Sequence, residues 1–178
     1  YPVLNDYKNL WDVANLLLQK TPSDNFTATM KLTFTPNPKN KGERTGLVVM
    51  GRDYAGIILE NTDKGLVLSQ VECKKADKGK PEQANASVDL SQNTVYLKVR
   101  FSYDGKKIKG SEGGHDLIVM CNFSYSLDGK KYQPLGNPFQ AREGQWIGTK
   151  VGMFCTRPAI VTNDGGWADV DWFRITKK

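Results

Sequence analysis

The alternation between residues 26 and 35 constrains this chain more than any other feature. Phe26, Ala28, Met30, Leu32 and Phe34 alternate with Thr27, Thr29, Lys31, Thr33 and Thr35, and a period of two puts all the apolar side chains on one face of an extended segment. An α-helix would scatter them around its circumference. The pattern returns in Val95, Leu97, Val99 and Phe101 against Tyr96, Lys98 and Arg100, and again in residues 117–126. Runs that are apolar without alternating, at 47–50, 57–59 and 66–68, suit central strands covered on both faces.

Turn chemistry separates these runs. Pro36-Asn37-Pro38 through Gly42, residues 61–65, Lys78-Gly79-Lys80-Pro81, Asp104-Gly105, Asp128-Gly129 and Asp164-Gly165-Gly166 all tolerate tight or left-handed backbone. Asp128-Gly129 predicts a hairpin over 124–132. Near the start, a helix-like stretch over residues 10–18 would be capped by Asn9, but Leu16-Leu17-Leu18 followed by Gln19, Lys20 and Pro22 fits a short strand equally well, so no long helix is expected there. Roughly a dozen short strands with regular turns predict an all-β fold, a jelly-roll sandwich of two antiparallel sheets. The 178 residues fit one core, so residues 1–178 are expected to form a single domain.

Composition excludes several functions. The net charge of +6 invites a nucleic-acid reading, but the pairs Lys74-Lys75, Lys106-Lys107, Lys130-Lys131 and Lys177-Lys178 lie at turns or the chain end. No nucleic-acid motif accompanies them, so neither nucleic acid nor membrane is expected as a partner. The 3 cysteines, Cys73, Cys121 and Cys155, lack metal-knuckle spacing, and Cys121 and Cys155 read as small buried hydrophobes. Asn-X-Ser/Thr triplets begin at Asn25, Asn85 and Asn122, with Asn122 inside an expected strand, and read as chance occurrences.

Catalytic material is sparse. His115 is the single histidine, so no multi-histidine metal site can form, and its Gly113-Gly114-His115-Asp116 setting reads as a solvent-facing turn. Glycoside hydrolysis needs two carboxyls flanking one bond, yet Glu43, Glu60, Glu72, Glu82, Glu112 and Glu143 stand singly near turns and read as solvated surface acids. Asp169 and Asp171 are the one alternate pair. They can hold a hard cation such as a structural Ca²⁺ with loop carbonyls, Asp171 being the stronger ligand candidate. Otherwise one of them bonds to backbone or Arg174 and the other faces water. No cofactor is required. Among the aromatics, Trp146 and Trp167 flank turns and are the candidates for contact with a sugar or a neighbouring domain, whereas Trp11, Trp172, Tyr54, Tyr103, Tyr125 and Tyr132 suit packing.

Several segments carry a resemblance. Residues 10–20 (LWDVANLLLQK), 26–32 (FTATMKL), 46–51 (GLVVMG) with Asp53-Tyr54-Ala55, 146–155 and 166–173 (GWADVDWF) resemble the C-terminal concanavalin-like domain of family 43 glycoside hydrolases. The hairpin at 124–132 is shared more widely among concanavalin-like sandwiches. The resemblance implies a non-catalytic accessory domain of a β-xylosidase or α-L-arabinofuranosidase. It would pack beside an N-terminal catalytic propeller of the same polypeptide and help shape the substrate pocket in hemicellulose degradation. The alternative is an independent carbohydrate-binding module for xylan or arabinan, plant cell-wall oligosaccharides being the ligands in either case. No catalytic residue is carried over. The family's polymeric substrates imply an extracellular or periplasmic location. Family sandwiches begin with further strands before the Leu10-Trp11-Asp12 region, so the chain is expected to be a fragment lacking the propeller, and the sandwich's first strands are either trimmed from it or missing.

Overall fold

A computed structural model describes residues 2–4, 6–107, 117–144, 147–159 and 164–177. The strands are β1 (Leu16–Lys20), β2 (Phe26–Thr35), β3 (Arg44–Met50), β4 (Tyr54–Thr62), β5 (Gly65–Cys73), β6 (Gln83–Asp89), β7 (Thr94–Lys107), β8 (Leu117–Ser126), β9 (Gln133–Pro134), β10 (Phe139–Ala141), β11 (Lys150–Thr156) and β12 (Trp167–Lys177). One sheet runs β1-β11-β3-β4-β5-β6. The other runs β10-β8-β7-β2-β12, with β9 beside β8. All the strand pairs are antiparallel, as expected for a concanavalin A-like sandwich.

The alternation in β2 becomes its burial pattern. Phe26, Ala28, Met30, Leu32 and Phe34 are buried between the sheets, while the intervening threonines and Lys31 look outward. Leu97, Val99 and Phe101 of β7 join them, and the Phe26 and Phe101 rings stack across the ladder with centroids 4.1 Å apart. Each such fully buried large side chain contributes about 1.5–3 kcal/mol of transfer free energy, so the two-residue period alone specifies which face of this sheet is core.

The non-alternating runs have a different cause. In β3 and β4, Val48, Met50, Tyr54 and Ile58 point away from the sandwich interior into a second cluster with Leu10, Val71, Cys73, Ala76 and Phe154. The segment before β1 forms its lid: Asn9 Oδ1 accepts from the Trp11 amide and caps a 3-10 turn at Leu10–Asp12. The first sheet is therefore buried on both faces and the second on one.

The turns follow their chemistry with two differences. The chain reverses between β8 and β9 around Asp128, whose Oδ1 accepts from the Lys130 and Lys131 amides and from Ser126 Oγ, and Gly129 takes φ +72°. The connection covers residues 127–132 rather than a two-residue turn, because this carboxylate organises a wider loop. Asp104-Gly105, expected as a turn, lies instead within β7. There Gly105 takes φ +83° and the pairing with β8 slips between Tyr103 and Lys107, so the left-handed residue makes an irregularity within the strand rather than its end.

Candidate functional site

β12 is the edge strand of its sheet and carries three of the residues singled out in the sequence. Trp167 opens the strand and is 57% exposed, and its indole N–H donates to Asp169 Oδ2 at 3.2 Å. A bulge follows. Val170 pairs with Leu32 and Trp172 with Lys31, leaving Asp171 as the extra residue. The bulge shifts the phase, so that Ala168, Val170, Phe173 and Ile175 all pack against the core while Asp171 and Trp172 are successive outward positions. Asp171 Oδ2 lies 2.5 Å from Lys31 Nζ, and Arg174, offered by the sequence as a partner for the acids, instead lies over the Trp172 ring at 4.2 Å.

As folded, the donor set does not fit a hard cation. Ca²⁺ takes six to eight oxygens, whereas Asp169 and Asp171 are met by an indole N–H and an ammonium. Among the described residues no three His, Cys, Asp or Glu gather into a metal-sized group. Trp146 and His115 lie outside the described residues.

Two glutamates read as solvated surface acids are buried or partly buried in polar networks, which corrects that expectation. Glu43 is 2% exposed. Its Oε2 accepts from the Asn37 amide at 2.6 Å, and its Oε1 accepts from the Gly166 amide at 2.8 Å and from Asn40 Nδ2 at 3.3 Å. It thereby ties the 36–43 loop to the residues leading into β12. Glu82 accepts from Tyr54 Oη at 2.6 Å and from Arg44 Nη2 at 2.5 Å, and Arg44 Nη1 donates to Tyr7 Oη at 3.2 Å. Burial pushes the Tyr7 phenol up to about 12. Acids beside turns look alike in sequence, and only the partners brought by distant strands distinguish a loop-pinning carboxylate from a solvated one.

Among the described residues, three clefts bear on a ligand or partner. One of about 390 Å³ lies beside the N-terminal lid, between Trp11, Val13, Leu18, Met50 and Ile147. A second, of about 370 Å³, opens where the edges β1 and β12 face each other. Leu16, Leu17, Met153, Cys155, Ala168 and Val170 line it, with Leu17 72% exposed. The third, about 330 Å³, has Tyr7, Arg44 and Arg157 in its wall. None of the three is lined by Asp or Glu. Of the thiols, Cys121 is buried and pushed up by desolvation, and Cys73 is pushed up to about 11 by the same cause, so neither is poised as a nucleophile.

Comparison with known proteins agrees with this architecture. Residues 4–176 match the family described as the beta-xylosidase C-terminal concanavalin A-like domain. No curated protein sequence matches the chain. Among solved structures, a bifunctional GH43-CE protein of Bacteroides eggerthii superposes with a TM-score of 0.79 at 22% identity, over 99% of this chain and 20% of that one. The GH43 BlXynB protein of Bacillus licheniformis gives 0.67 at 22% identity, over 92% and 30%. The xylan beta-1,4-xylosidase of Bacillus halodurans C-125 gives 0.69 at 19% identity, over 94% and 30%. The chain thus spans less than a third of the length of each of these proteins.

Proposed function

Because the chain belongs to the beta-xylosidase C-terminal concanavalin A-like domain family, we propose that it is the non-catalytic sandwich of a glycoside hydrolase. In this reading it packs beside a catalytic propeller and helps shape that domain's substrate pocket during hemicellulose breakdown. The observation that carries the reading is the match to that family over residues 4–176, and the apolar slot between β1 and β12 supports it.

The surface most suited to a neighbouring domain is the slot between β1 and β12. Exposed Leu17 adds to the half-buried Met153, Ala168 and Val170, an apolar surface of the kind that marks an interface, with exposed Trp167 beside it at the start of β12. The networks of Glu43 and its neighbours fix the loop that leads into Trp167, as a pocket-completing element requires. Hemicellulose is polymeric, so the reading carries an extracellular or periplasmic location with it.

Two measurements test the proposal. The isolated chain is expected to give no turnover of aryl β-xylosides or aryl α-arabinofuranosides, and turnover by this chain alone would refute it. Joined to, or mixed with, the propeller of its own polypeptide, it is expected to raise propeller activity or thermal stability. Leu17→Lys with Trp167→Lys should abolish that effect, and a propeller indifferent to the sandwich would equally sink the reading.

A further inference from the structure

The outer face of the second sheet carries a feature that the accessory role does not use. Three rows of side chains cross it in register: Trp172, Lys31 and Tyr96, then Arg174, Thr29 and Lys98, then Thr176, Thr27 and Arg100. Aromatic rings hold two of the cations. The Arg174 guanidinium lies over Trp172 at 4.2 Å, and Lys98 Nζ lies 3.2 Å from the centre of the Tyr132 ring. The rings are themselves packed: Trp172 and Tyr96 are 6.1 Å apart, and Tyr96 lies so close to Gly129 that a Cβ there would come within 2.8 Å of it. The 127–132 loop, with Tyr132 at its end, thus stands at one side of the face, and β12 forms the other.

The charge on this face is one-sided. Lys31 is neutralised by Asp171, and Asp169, which keeps its charge while accepting from the Trp167 N–H, lies outside the three rows, opposite Thr33. Among the described residues, Lys98, Arg100 and Arg174 have no carboxylate within ion-pair distance. Long basic side chains in water lose side-chain entropy when a ligand immobilises them. Lys98 and Arg174 are already laid on rings, so part of that cost falls on folding rather than on binding. Neighbouring hydroxyls and an amide, from Thr29, Ser124 and exposed Asn122, supply the donors and acceptors a sugar ring needs. With strands about 4.8 Å apart, the floor from β12 through β2 and β7 to β8 spans roughly 14 Å.

We propose that this face binds a uronate-bearing oligosaccharide, with Arg174, Lys98 and Arg100 receiving the carboxylates, Trp172 and Tyr132 fixing Arg174 and Lys98, and Tyr96, packed against Trp172, flanking the sugar rings with them. Charge complementarity selects the occupant. A neutral glycan leaves the three cations unused, and an extended polyanion lacks the hydroxyls that match the polar positions between them. The proposal rests on the hemicellulose reading for its substrate class, yet it uses a face separate from the β1–β12 slot. A chain that aids its propeller but ignores uronates keeps the accessory role and loses this site. A chain that binds uronates but leaves the propeller unaffected does the opposite.

The test is calorimetric titration of the 178-residue chain with glucuronic-acid-substituted xylo-oligosaccharides, neutral xylo-oligosaccharides of equal length, and polyphosphate. The uronate form is expected to bind at least about tenfold more tightly than the neutral one and to weaken as salt rises. Arg174→Ala and Lys98→Ala should each weaken it roughly tenfold, the effect of losing one charge-assisted contact. Lys150→Ala, on the other sheet, should leave binding unchanged, and melting temperatures of all variants report whether folding is intact. Equal affinity for the neutral oligosaccharide, equal affinity for polyphosphate, or indifference to Arg174→Ala and Lys98→Ala in folded variants would each overturn the proposal.

Discussion

Tyr54→Phe removes one oxygen from the centre of the second cluster and tests what holds the N-terminal lid. The Tyr54 ring is fully buried, so the substitution keeps its packing and opens almost no cavity. Its hydroxyl donates to Glu82 Oε1 at 2.6 Å and accepts from the Leu10 amide at 3.0 Å. Losing the first bond costs about 1.5–3 kcal/mol, because the acceptor is charged, and the Leu10 amide left without its partner adds about 1 kcal/mol or more. A total near 3 kcal/mol corresponds to a fall in melting temperature of roughly 9 °C for a domain of this size. Tyr125→Phe is the control. Its hydroxyl makes one 3.3 Å bond to Gln133, a neutral pair whose loss costs about 1 kcal/mol. Urea unfolding with unchanged m-values gives both differences, and hydrogen exchange should show the amides of Leu10 and Trp11 losing protection selectively. If Tyr54→Phe stays within about 0.5 kcal/mol of the wild type, a typical neutral surface change, the lid is held by apolar contact alone and the reasoning fails.

Two further outcomes are expected. The Asp128 carboxyl is held down to about 2 by the Lys131 amide first and then by the Lys130 amide and Ser126. Its folded value lies below its unfolded one, so its contribution is present above pH 3.8 and is lost as pH falls toward 2. Carbon-detected NMR titration should show the depressed midpoint, and Asp128→Asn should flatten the acid limb of stability between those values. A midpoint near 4 would refute the loop geometry. Stability is also expected to need no metal: excess chelator or millimolar Ca²⁺ should leave the melting temperature unchanged, since Asp171 is already met by Lys31. A rise with Ca²⁺ that Asp171→Asn abolishes would show that the ion displaces the lysine.

How much of this was legible in the sequence depended on the range of the interaction. Phe26 to Phe34 declared their face because pleating is local, and the Asp128-Gly129 reversal did so because the carboxylate bonds amides only two and three residues away. The doubly covered first sheet was legible for the same reason, since the missing alternation in β3 required a second cover whatever supplied it. Glu43 and Glu82 were not legible, because their partners lie as far off as Gly166 and Arg44. Nor was the phase change in β12. Counting by two from Ala168 through Val170 puts Trp172 inward, and only the register with Leu32 and Lys31 reveals the bulge that turns it outward.

That bulge links the fold to both proposed surfaces. An unbroken two-residue period from Ala168 would carry Trp172 inward and turn Phe173 and Ile175 to solvent, burying the ring that supports Arg174 and exposing two core side chains. The extra residue reverses that outcome. The half of β12 before Asp171 keeps Ala168 and Val170 at the apolar slot beside Leu17, while the half after it sends Trp172 and Arg174 to the basic face without losing Phe173 and Ile175 from the core. Bulges persist where they re-aim side chains, and here one inserted residue lets a single edge strand contribute to both the proposed domain-packing edge and the proposed ligand-binding face.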